Sequence, residues 1–101
     1  MTTISEDQLV TEAVKLLRKY NRQKLESSDG MATEMPLAGI IVVEGTAQFK
    51  GRSKIFWTAI FSRDGSEMLF LGYSSSFHEA HRMVNQWRTG YWQKQFKEDA
   101  A

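Results

Sequence analysis

The chain has 101 residues, enough for one hydrophobic core and too few for two. Hydrophobic residues make up 42% and charged residues 25%, an ordinary globular profile, and the formal net charge of +1 gives no global pull toward nucleic acid or membrane. Without cysteine there is no disulfide framework, thiolate nucleophile or Cys-ligated zinc.

The longest apolar run, Ile40 to Val43, stops at Glu44, far short of the ~20 residues that span a bilayer. Glu6 and Asp7 stand where an export signal would carry Lys or Arg, so a cytoplasmic location is expected.

In chain order, Met1 to Thr3 should fray. Ser5 reads as an N-cap with Gln8 at the capping-box position and Ile4 and Leu9 as a hydrophobic staple. Leu9, Ala13, Leu16, Leu17 and Tyr20 then recur at three- and four-residue steps, widened by Val10 and Val14, which predicts a helix with one buried face. Its end is expected near Lys24 to Glu26, ahead of Ser27-Ser28-Asp29-Gly30. Five basic residues and no acid lie between Lys15 and Lys24, mostly off the apolar stripe, and read as a solvated face.

The segment from about 27 to 36 is polar and aperiodic and reads as a flexible connection. Leu37 to Phe49, rich in β-branched residues, predicts a strand bent at Gly45. After a turn at Lys50-Gly51-Arg52-Ser53, Lys54 to Ser62 forms a second strand. It carries Ile55, Trp57, Ala59 and Phe61 on one face and Phe56, Thr58 and Ile60 on the other. Asp64-Gly65 is a hairpin signal, and Glu67 to Tyr73 returns as a third strand.

Ser76 and Glu79 mark the start of a second helix. Its stripe is Phe77, Ala80, Val84, Trp87 and Tyr91, with Met83 beside it and Gly90 as a candidate C-cap. The expected architecture is α+β, a three-stranded antiparallel meander with a helix before and after it, in one domain over residues 1–101 with frayed ends.

Both faces of the first two strands are apolar, so each face needs a cover. Either the helices take opposite faces, or both take one and leave the other to a partner; the aromatic content favours the second arrangement.

No chemistry-bearing motif emerges. His78 and His81 are spaced i, i+3 rather than the i, i+4 of helical zinc proteases, and no third ligand is marked. Ser74, Ser75 and Ser76 are explained as turn and cap residues, and the dispersed glycines assemble neither a phosphate-binding loop nor a dinucleotide fingerprint. The reading is therefore a non-enzymatic module without cofactor or metal.

Its expected role is protein–protein interaction or inhibition, with a protein partner or a second copy of itself. Contact would run through an uncovered sheet face or through Arg88, Tyr91, Trp92 and Phe96, residue types that dominate binding hot spots. Trp87 and Tyr91 read as core, which leaves Arg88 and Trp92 as the better contacts.

The alternative is nucleic-acid binding. Lys50, Arg52 and Lys54 crowd one turn beside Phe49, Phe56 and Trp57, and Arg82, Arg88 and Lys94 add a basic strip. The α-β-β-β-α order resembles the double-stranded-RNA-binding domain in topology. Where such domains open the last helix with a lysine cluster that grips phosphates, this chain has Ser74-Ser75-Ser76-Phe77-His78-Glu79.

Overall fold

The computed structural model describes residues 5–34 and 39–100, and for residues 34 and 91–100 it describes the backbone alone. Its elements are α1 (Glu6–Tyr20), β1 (Leu25–Glu34), β2 (Ile40–Phe49), β3 (Ile55–Ser62), β4 (Met68–Ser74) and α2 (Phe77–Ala100). The strands form one antiparallel meander in the order β1-β2-β3-β4. The sheet thus has four strands where three were expected, because the presumed connection over 27–36 is largely β1.

The capping box forms as read. Ser5 Oγ accepts from the Gln8 N–H at 3.3 Å, and Gln8 Oε1 accepts from the Ser5 N–H at 2.9 Å, so two helix-end donors are satisfied reciprocally. Ile4, the other half of the expected staple, lies outside the described residues. The helix stops at Tyr20, earlier than expected, because Asn21 turns extended. Its backbone N–H and its Nδ2 both donate to the Leu17 carbonyl, at 2.9 and 3.2 Å. That early stop frees Leu25 onward to pair as a strand.

β1 escapes a hydrophobicity pattern because its small residues answer to a neighbour's bulk. Gly30 faces Gly45 in register, and the Trp57 indole lies across both, so a Cβ at Gly30 would meet Trp57 Cζ2 at 2.7 Å and Val10 Cγ1 at 3.1 Å. The indole N–H donates to the Thr46 carbonyl at 3.0 Å, which fixes the ring. Asp29 pins the register by accepting from the Thr46 N–H and hydroxyl at 3.0 and 2.7 Å. As an edge strand, β1 is blunted by register shifts near both ends and by its charges.

The two helices take opposite faces of the sheet. Leu9, Ala13 and Leu17 of α1 are buried with Ile41, Val43, Trp57, Ala59 and Phe61, chiefly over β1 and β2. Ala80 and Val84 of α2 are buried too, and Val84 packs with Ile40, Val42 and Ile60 from the other face, α2 lying over β3 and β4. The expectation that both helices share one face is overturned. The apolar alternation of β3 is as read, and each of its faces is taken up by a different helix, at about 1.5–3 kcal/mol for each large side chain fully buried.

Two members of the expected stripes stand out in solvent. Tyr20, in the last turn of α1, is 66% exposed and Phe77, in the first turn of α2, is 56% exposed. The hairpin at Asp64-Gly65 forms with Gly65 at φ 76°, Asp64 Oδ1 accepting from the Ser66 N–H, the Ser66 hydroxyl and the Ser62 hydroxyl. Gly90 does not cap α2, which continues through it. No helix among the described residues is long and apolar enough to cross a membrane.

Candidate functional site

Charge is sorted along the strands. α1 runs antiparallel to β1, so its acidic first turn, with Glu6 and Asp7, sits at the end of the sheet that carries the β3–β4 hairpin. There a shallow groove of about 460 Å³ has Phe61 and Met68 on its apolar side and Asp7 and Glu12 on its rim. The basic last turn of α1 lies at the opposite end, where β1 starts and the β2–β3 turn closes.

At that end two basic segments that are distant in sequence meet. The Lys50 N–H donates to the Lys24 carbonyl at 2.8 Å, extending the β1–β2 ladder beyond Leu25 and Phe49. The Lys50–Lys54 turn, with Gly51 at φ 76°, is thereby fastened beside Lys15, Arg18, Lys19, Arg22 and Lys24. Lys15, Arg18, Lys19, Arg22 and Lys24 share a groove of about 310 Å³ between the end of α1 and the start of β1.

Eight of the thirteen Lys and Arg residues therefore belong to one pole, and all eight side chains are exposed. Among the described residues none of them forms an ion pair, unlike His81 with Glu44 and Arg82 with Glu79. Glu26 is the one carboxylate within Lys15 to Ser28, and the turn from Lys50 to Lys54 has none. Asp29, near Lys54, is tied to Thr46; the Thr46 hydroxyl, the Thr46 N–H and the Lys54 charge all hold its carboxyl below the ordinary value. Exposed Tyr20 adds an aromatic ring to this pole.

A second constellation lies on the sheet face that α2 covers. Glu44, in the middle of β2, is only 5% exposed, a costly place for a carboxylate without partners. Thr33 Oγ1 donates to its Oε1 at 2.7 Å, and His81 Nδ1 lies 3.0 Å from Oε2 and 3.2 Å from Oε1. Since a carboxylate only accepts, Nδ1 carries the hydrogen. Phe77 stacks on the His81 ring with centroids 5.9 Å apart and meets Phe56 edge-on at 6.2 Å. Among the described residues no group of three or more His, Cys, Asp or Glu is placed to hold a metal ion.

Of the residues expected to bind nucleic acid, Lys50, Arg52 and Lys54 fall on the basic pole. Arg82 does not: it lies on α2, 3.4 Å from Glu79, beside Asn85 and Gln86. Of those expected to bind a protein partner, Arg88 is half-buried and engaged in the fold, and the side chains of Tyr91, Trp92 and Phe96 lie outside the described residues. Sequence reasoning missed that Lys15 to Lys24 and Lys50 to Lys54 form one surface. The signal was present only as two basic runs, and joining them requires knowing that β1 pairs with β2.

Compared with known protein families, with curated proteins and with solved structures, the chain matches none. The fourth strand also removes the topological likeness to the double-stranded-RNA-binding domain.

Proposed function

We propose that this chain is a nucleic-acid-binding module that holds the phosphate backbone on its basic pole. The observation that carries the reading is the Lys24–Lys50 junction, which brings eight exposed basic side chains to one end of the sheet with no ion pair among the described residues to neutralise them. Exposed cations separated by less than a Debye length of ~8 Å repel one another, and a polyanion relieves that repulsion while releasing its own counterions. The acidic hairpin end opposite would orient the approach, turning the basic pole toward the phosphates.

The competing role in self-association through a bare sheet face loses its main support, because each face carries a helix. A protein partner remains a distinct proposal for the C-terminal part of α2, with Arg88, Tyr91, Trp92 and Phe96 as its contacts.

The test is fluorescence anisotropy with labelled oligonucleotides at low salt, repeated across a salt series. Binding through three to five phosphates predicts that log K falls with log salt at a slope of roughly −2 to −4. No binding to any DNA or RNA at low salt, with a partner captured equally from nuclease-treated and untreated lysate, would replace this reading with the protein-partner one.

A further inference from the structure

The basic pole contacts phosphate and says nothing of what the bases do; that question turns on the sheet face next to it. α2 lies over β3 and β4 and reaches β2 through Val84 and His81, so among the described residues the β1 edge of the same face is the part that α2 leaves largely open. Met31 projects there, opposite Glu44 in register, and is 60% exposed. On the same face, above Phe56 of β3, stands Phe77, more than half exposed, stacked on His81 and in T-shaped contact with Phe56.

This aromatic group is next to the basic pole by construction of the fold. Phe56 is the second residue of β3, directly after the Lys50–Lys54 turn, and α2 begins at that same end of the sheet. A large apolar ring that opens a helix and stays in solvent, held rigid from two sides, is a platform for a flat π-surface.

Resting on the nucleic-acid reading, we infer that the ligand is single-stranded and that an unpaired base stacks on Phe77 while Lys50 and Lys54 hold the adjoining phosphates. Duplex bases are stacked on one another and offer no free face to a side chain, whereas an unpaired base can turn onto a ring beside the phosphate track. The carboxylates of this area do not oppose such a ligand as bare charges. Glu44 is held by Thr33 and His81, Asp29 by Thr46, and Glu79 by Arg82. Met31, an adaptable thioether on the same face, supplies apolar contact for a neighbouring base.

The experiment compares a twelve-nucleotide oligothymidylate with a twelve-base-pair duplex, using the wild-type chain, Phe77→Ala, Phe77→Trp and Lys50→Glu, with circular dichroism to verify folding. Phe77→Ala should weaken single-strand binding about tenfold, within the range for loss of one stacked base, and leave duplex binding unchanged. Phe77→Trp should retain single-strand binding, and the Phe77 ring protons of the wild-type chain should shift upfield on addition of oligothymidylate. If Lys50→Glu weakens both ligands but Phe77→Ala weakens neither, stacking is refuted and phosphate binding stands. If neither ligand binds at low salt, both the inference and the reading beneath it fail.

Discussion

The N–H of Lys50 and the carbonyl of Lys24 meet at 2.8 Å, joining the turn after β2 to the residue before β1. This one backbone bond converts two basic runs into one surface. The side chains on either side of it are exposed, so their charge is separable from the fold. Lys24→Glu and Lys50→Glu should each change unfolding free energy by no more than about 0.5 kcal/mol. Urea denaturation checks this, and a loss above about 1.5 kcal/mol would mean that the charges serve the fold.

Gly45 and Gly90 should respond to alanine with opposite sign. A Cβ at Gly45 would collide with the Asp29 carbonyl, meet Gly30 Cα at 2.6 Å and meet Trp57 Cζ2 at 2.7 Å, so β1 or the indole would have to move. Gly45→Ala should cost about 3 kcal/mol, in the range of severe overpacking. Gly90 lies inside α2 with nothing within 4 Å of its Cβ position, so Gly90→Ala should stabilise by about 0.5–1 kcal/mol. Thermal melts of the two variants decide; a neutral Gly45→Ala would contradict the Trp57 packing described above.

The Glu44–His81 contact predicts coupling. His81→Ala leaves Glu44 with Thr33 as its remaining partner in a buried position, and should destabilise by about 1–2 kcal/mol. Part of that loss should vanish when Glu44 is itself replaced by Gln. His81 is 49% exposed, so solvent screening limits the coupling energy to about 0.5–1 kcal/mol in a double-mutant cycle. Strict additivity would show that the two side chains do not interact in solution.

Asp64 makes stability acid-sensitive. The hydroxyl and N–H of Ser66, with the hydroxyl of Ser62, hold its carboxyl down from the ordinary 3.8 to about 2. Because the folded value is lower than the unfolded one, its contribution is complete above about pH 4 and is lost as pH falls toward 2. Asp29, held low by Thr46, acts in the same direction. Asp64→Asn should flatten the fall of melting temperature between pH 4 and 2, and carboxyl chemical shifts should titrate near 2. An Asp64 midpoint close to 3.8 would refute the turn geometry.

Much of the fold was legible because local rules and burial agreed. Ser5 with Gln8, the alternation through Trp57 and Phe61, and Asp64-Gly65 each form the structure their residue types favour. β1 was illegible for a physical reason: Gly30 has no side chain because Trp57 and Val10 of α1 occupy the space above it, and the small polar residues around it imitate a loop. The helix arrangement followed from the same omission, since α1 needs the β1–β2 half of one face as its floor. Of the candidate site, Lys50, Arg52 and Lys54 were visible in sequence. Their union with Lys15 to Lys24 was not, because it depends on a pairing between strands, one of which had no signature.

The salt dependence of oligonucleotide binding, measured for the wild-type chain and for the double variant Lys24→Glu/Lys50→Glu, decides whether the basic pole holds phosphate. Phosphate binding on the basic pole predicts a linear fall of log K with log salt for the wild type, and for the variant both weaker binding at low salt and a slope reduced by about 1–2. Equal affinity and equal slope for the two proteins would contradict it.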